Sequence, residues 1–221
     1  MDHFGGITAV GKRIKRKNIP LTLHPAVFRT DRMVKSGSIM TDMPCASEAE
    51  FKAAGFKIIT SEDACFISGT DVLFLGQIPR ITEFEKGAAN LVCREGDRIV
   101  QDIMPEDTSL VIHLKGKGLI IISGCAHSGI INTVHYAMDV TGISDVHVVM
   151  GGFHLSGSGK EELIAQTVDA MHRINPDYIV PTHCTGREAT EIFEKAMPEK
   201  FILNMAGTRP VSYTHLTLPT N

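Results

Sequence analysis

No apolar run in the chain approaches the roughly 18 residues that a membrane-crossing helix requires. The five cysteines, at positions 45, 65, 93, 125 and 184, include no Cys-x-x-Cys pair. Their odd number and wide spacing argue against a secreted disulfide framework and favour a reducing, cytoplasmic setting. Neither sign of charge dominates, since 22 basic and 25 acidic residues leave a net charge of −3. Nucleic acid and membrane are therefore excluded as default partners, and a small-molecule substrate is the expected one. The single basic cluster, Lys12, Arg13, Lys15, Arg16 and Lys17, reads as the solvated end of a first helix. No internal repeat is visible, and nothing in the sequence sets an oligomeric state. A secretory leader is not visible either, and a lost beginning would hide one.

What is present is an ordinary globular composition: 221 residues, 43% hydrophobic and 21% charged. The first half reads as β-rich. A short helix is expected over residues 6–16, a strand over 19–24, a helix over 47–54 capped by Ser47, and a strand over 56–60. A hairpin is expected over 64–75, turning at Ser68-Gly69-Thr70-Asp71. Residues 76–106 show weak periodicity and read as one long functional loop. Residues 109–114 and 119–123 form a second hairpin around Lys115-Gly116-Lys117-Gly118. From there strands over 146–150, 178–180 and 201–204 alternate with helices over 130–140, 160–174 and 187–196. The class is α/β, with sheets flanked by helices.

Three of these strands end alike. Leu119–Ser123 runs into Gly124-Cys125-Ala126-His127-Ser128-Gly129, Val146–Met150 into Gly151-Gly152-Phe153-His154, and Tyr178–Val180 into Pro181-Thr182-His183-Cys184. Ligands at the carboxyl ends of neighbouring strands converge on one point, as a metal site requires. Neutral imidazole is a strong ligand for zinc and similar metals. His127, His154 and His183 are therefore candidate metal ligands, whereas His113 and His147 within strands and His135 and His172 on helices read as surface or core residues. Gly124, Gly129, Gly151, Gly152 and Gly186 are expected to supply positive φ and close backbone approach. Cys125 and Cys184 flank the ligand histidines; they could be soft ligands, but small buried residues is the preferred reading.

Taken together these motifs resemble the metallo-β-lactamase superfamily. Its first motif is His-x-His-x-Asp-His, often followed by Gly-Gly, and Met1-Asp2-His3-Phe4-Gly5-Gly6 resembles its second half, with Met1 at the variable position. The later single histidine matches His127 and the final one His183, while His154 stands where a bridging carboxylate is usual. Gly76-Gln77-Ile78-Pro79-Arg80 with Thr82, Phe84 and Glu85, and then the 124–133 and 151–155 segments, are similar to one subgroup, the metal-dependent hydrolases of β-lactamase superfamily II. Some members of it carry the name 7,8-dihydropterin-6-methyl-4-(β-D-ribofuranosyl)aminobenzene-5′-phosphate synthase. The resemblance implies an αββα four-layer sandwich, the metallo-β-lactamase fold, covering residues 1–210 and missing its N-terminal strands. Residues 211–221 resemble the translation of a sequencing-library adapter, a non-native tail in which His215 counts as no ligand. A fragment of a metagenomic kind is the expectation, with a His-x-His pair upstream of Met1, exposed apolar faces, poor solubility and impaired activity.

The resemblance also implies the chemistry. Asp2, His3 and His183 would hold one metal, His127 would belong to the other, and His154 would lie near both. Asp2 is carried over as the catalytic group as well as a ligand. The cofactor implied is one or two divalent ions, Zn2+ first, with Mn2+, Fe2+ or Ni2+ as alternatives. A bound cation lowers the pKa of water from 15.7 towards about 7, which supplies a nucleophile at neutral pH. With neutral His154 in place of an acid, the site is expected to be more electrophilic or to prefer a single metal. Arg80, Glu85 and His24 are candidate substrate contacts, Arg80 through its bidentate fork. The function implied is a hydrolase of a small phosphorylated or ester-like substrate acting through a metal-activated water. Two alternatives stand beside it: a transferase joining a dihydropterin to ribofuranosylaminobenzene 5′-phosphate, and a non-catalytic metal-binding scaffold.

Overall fold

Short runs of isoleucine, leucine and valine, stopped by glycine or proline, build the sheets. A computed structural model describes residues 3–14 and 17–210. In chain order its elements are α1 (Ile7–Arg13), β1 (Ile19–Leu23), a 3₁₀ turn (Pro25–Phe28), β2 (Arg32–Ser36), β3 (Ile39–Asp42), α2 (Glu48–Ala53) and β4 (Phe56–Thr60). There follow β5 (Cys65–Phe66), β6 (Val72–Phe74), β7 (Leu91–Glu95), β8 (Arg98–Gln101), β9 (Ser109–Leu114), β10 (Gly118–Ser123) and α3 (Ile130–Thr141). The last are β11 (Val146–Gly152), α4 (Glu161–Ile174), β12 (Tyr178–Thr182), a 3₁₀ turn (His183–Thr185) and α5 (Arg187–Ala196). Asp2, His215 and the 211–221 tail lie outside the described residues.

The principal sheet has six strands in the order β12-β11-β10-β9-β6-β5. β10, β11 and β12 run parallel to one another, so their carboxyl ends share one edge of the sheet. The β9–β10 and β5–β6 pairs are the antiparallel hairpins expected from the sequence. α3, α4 and α5 close over this sheet in one apolar core that includes Ile121, Ile130, Val134, Val149, Met171, Ile179 and Phe193. α3 stops where Gly142 takes left-handed backbone, as a helix C-cap glycine does.

A second, smaller core gathers Val27, Ala46 and Phe51 with Phe4, Ile7, Leu21 and Ile58, from α1, α2, the parallel pair β1–β4, the Pro25–Phe28 turn and the residues leading into the two helices. Ser47 caps α2 as expected, its Oγ accepting from the Glu50 amide at 3.3 Å. Each layer of helices thus belongs to its own sheet. Among the described residues no helix is long and apolar enough to cross a membrane.

The structure corrects the sequence reading in two places. The stretch 76–106 is not one loop, because β7 and β8 form a hairpin inside it and join β2 and β3 in a four-stranded sheet ordered β3-β2-β7-β8. These strands are half-exposed, and β3 is exposed throughout, so their sequences carry little apolar alternation. The expected strand over 201–204 reduces to a single bridge between Phe201 and Ile179.

Candidate metal centre

The three strand-end turns lie side by side and are bonded to one another. The Gly152 amide donates to the Gly124 carbonyl at 2.9 Å, and the Ser156 amide to the Cys184 carbonyl at 3.2 Å. The Phe153 amide donates to Thr185 Oγ1 at 3.1 Å. The approach is so close that a Cβ at Gly152 would fall 2.6 Å from both Cys184 Sγ and the Gly124 carbonyl. Only glycine fits there, although its φ is not the left-handed one the sequence reading expected of it. Gly129, Gly151 and Gly186 do take the positive φ expected of them, Gly124 does not, and beside them His154 (φ 50°), His183 (φ 48°) and Ala126 (φ 53°) also sit in the left-handed region. Such residues cost of order 1–3 kcal/mol each and persist where surrounding structure over-determines them, typically at functional sites.

The histidines form two pairs. His127 and His154 have ring centroids 4.0 Å apart. His3 and His183 meet edge-on at 5.0 Å. Cys125 joins the second pair, with its Sγ 3.0 Å from His3 Nε2. Donor atoms of His3, Cys125 and His183 all lie within 4.8 Å of one another. Between the two pairs stands Cys184, whose Sγ lies 3.3 Å from the Cys125 carbonyl. Hydrogen bonding from the Cys125 side chain, aided by His154 and opposed by burial, pulls the Cys184 thiol down to about 4.

The donor set fits a metal. Imidazole and thiolate are zinc ligands, and His154 Nδ1 is buried with no hydrogen-bonding partner among the described residues. Of the expected ligands, the structure brings His3 and His183 together and His127 and His154 together; Asp2 falls on an undescribed residue. Cys125 is the donor the sequence reading set aside. Its place two residues before His127, in a turn after a buried strand, was the available signal.

The candidate substrate contacts are engaged in other ways. Arg80 donates through its guanidinium to the carbonyls of Ile103 and His127 and so anchors the His127 turn. Glu85 is buried at the start of α3, where Oε1 accepts from the Ile131 amide at 2.9 Å and Oε2 from Asn132 at 2.8 Å and Thr82 Oγ1 at 3.1 Å. It satisfies the open amides of that helix end. Burial still pushes its carboxyl up. Asp107, also buried and pushed up, holds the same turn by accepting from the Ser128 amide at 2.8 Å. His24 caps the Pro25–Phe28 turn, its Nδ1 accepting from the Ala26 amide at 3.1 Å, and burial lowers its pKa. His147 pairs with Asp177 at 2.6 Å, a core histidine as expected.

Beside the His127/His154 pair lies a pocket of about 70 Å³. Phe84, Phe153, Leu155 and Leu163 form its apolar wall, with Lys86 and Lys160 also lining it.

Among curated proteins, the 7,8-dihydropterin-6-methyl-4-(β-D-ribofuranosyl)-aminobenzene-5′-phosphate synthase of Methanocaldococcus jannaschii is 30% identical over 211 residues, spanning 93% of this chain and 70% of that protein. The chain belongs to the family of that synthase. An uncharacterized protein of the same archaeon is 35% identical to this synthase-family chain over 119 residues, 54% of this chain and 42% of that one. The crystal structure of a metal-dependent hydrolase of the β-lactamase superfamily matches with a TM-score of 0.73 at 22% identity, over 95% of this chain and 75% of that one. The synthase-family chain therefore has the β-lactamase-superfamily fold expected for it. No protein-family model matches it.

Proposed function

We propose that this chain is a metal-dependent hydrolase of a small phosphorylated or ester-like substrate. The observation that carries the reading is the meeting of His3, Cys125 and His183 donor atoms within 4.8 Å, at the edge where three parallel strands end. The second pair, His127 and His154, offers a further place for an ion beside the pocket. A divalent cation bound there supplies Lewis acidity and an activated water. The chain's own part is positional. Arg80 and Asp107 hold the His127 turn, and Gly152 lets the 124 and 184 turns close on each other. The aromatic and aliphatic wall narrows access of water, and Lys86 and Lys160 bring positive charge towards an anionic substrate.

A second reading is favoured by the identity to the M. jannaschii synthase over nearly the whole chain. In it, His3, Cys125 and His183 would hold an ion whose Lewis acidity would favour loss of diphosphate from a dihydropterin that carries it, the bond to carbon being replaced by one from ribofuranosylaminobenzene 5′-phosphate. Product analysis separates the two. A hydrolase releases phosphate or acid from one substrate in water, whereas the transferase forms its adduct only when both partners are supplied. Either activity is expected to vanish on chelation and return with Zn2+. Full activity in the chelated protein would sink both readings.

A further inference from the structure

We propose that Cys125 is itself a metal ligand, so that the His3–His183 centre is a sulfur-containing, thiophilic site. This rests on the reading of that cluster as a metal centre and names the class of ion it takes.

Cys125 is buried, and its Sγ lies 3.0 Å from His3 Nε2. In a tetrahedral zinc site, bonds of about 2.0–2.1 Å to nitrogen and 2.3 Å to sulfur place neighbouring donor atoms about 3.5 Å apart. The His3–Cys125 spacing is thus within about half an ångström of what one shared cation demands. The sulfur has little freedom to leave. Its residue follows Gly124, whose carbonyl is bonded to the Gly152 amide, and its own carbonyl lies 3.3 Å from Cys184 Sγ. Gly124 matters on the other side too, since a Cβ there would already touch the His3 ring at 3.4 Å.

When the ion binds, the Cys125 S–H proton leaves to solvent and the sulfur lone pair forms the metal bond. The thiolate brings a negative charge that neutral imidazoles do not. Soft sulfur also discriminates among ions, favouring zinc, and cobalt as its spectroscopic substitute, over manganese or magnesium.

The metal-free full chain titrated anaerobically with Co2+ tests this. Expected are visible d–d bands together with a near-ultraviolet sulfur-to-cobalt charge-transfer band. C125S should keep the d–d bands and lose the charge-transfer band, and C184S should keep both. Zinc affinity of C125S should fall by more than the about 10- to 100-fold that loss of an outer-shell partner costs. X-ray absorption at the zinc edge of the unaltered protein should show one sulfur at about 2.3 Å, which does not depend on any variant folding. Cobalt d–d bands without a charge-transfer band, and zinc with only nitrogen and oxygen neighbours, would overturn the proposal while leaving the metal centre standing. A band lost in C184S and kept in C125S would assign the sulfur to Cys184 and also overturn it. No binding of either ion would overturn the metal-centre reading with it.

Discussion

The imidazoles of His127 and His154 lie with centroids 4.0 Å apart and planes tilted by 46°, although they follow different strands. Groups this close that serve one ion act as a unit, and their deletions are not additive. H127A and H154A are each expected to lower turnover by about 100-fold or more, at least matching the loss of an outer-shell ligand partner. The double variant should be little worse than either single one. Turnover and bound metal after dialysis measure this, and losses that multiply would show that the two rings work separately.

Gly152 is predicted to tolerate no side chain. G152A places a methyl 2.6 Å from Cys184 Sγ and from the Gly124 carbonyl, and one of these is backbone. Overpacking of this kind costs about 1–3 kcal/mol. Urea unfolding should show that loss together with reduced metal content. At Gly6, by contrast, a Cβ meets nothing within 4 Å, and G6A should be close to neutral. Equal stability of the two variants would refute the close approach of the turns.

Arg32 ties the four-stranded sheet to the segment before β9. Its Nε lies 2.9 Å from Asp102 Oδ2, and its other two nitrogens clasp the Glu106 carboxylate. Arg32 and Asp102 are both buried. R32M leaves buried negative charge without a counter-ion and should cost about 3–5 kcal/mol, measured by chemical denaturation. Adding D102N and E106Q should recover part of it. No recovery would mean that the arginine acts through packing alone.

Stability should fall with rising pH through Glu85. Burial raises its carboxyl in the folded chain, so the folded state holds that proton more tightly than the unfolded state does. Its contribution is full below the ordinary carboxylate range and is lost as pH climbs through the raised value. The stability advantage of the unaltered protein over E85Q should therefore be greatest in acid and shrink towards neutrality. Parallel denaturation curves across pH would check it, and a gap that widens with pH would be incompatible with this account.

The ligand-bearing edge was legible in the sequence because each of its strands is buried, β-branched and stopped by small residues before a single histidine. The same legibility extended to α2, α3 and both early hairpins, where caps and turn residues sit at fixed offsets. The four-stranded sheet escaped because β3 and β8 face solvent and carry no alternation to find. Glu85 and Arg80 drew attention as charged loop residues, but only the fold reveals that α3 and the His127 turn consume their hydrogen bonds. Cys125 was passed over because burial and ligation favour the same residue type, and one chain cannot tell them apart. Positive φ was foreseen at Gly129, Gly151 and Gly186, where it occurs, but not at His154 and His183, which adopt it as well.

His3 is exposed but is tied to the smaller core through its neighbour Phe4, which meets Phe51 edge-on at 6.4 Å, whereas His183 and Cys125 hang from the main sheet. An ion held by all three would act as a rivet between two separately packed bodies. Stripping it out would leave each body intact but let the seam breathe, so the amides of α1 would exchange with deuterium sooner than those of α3.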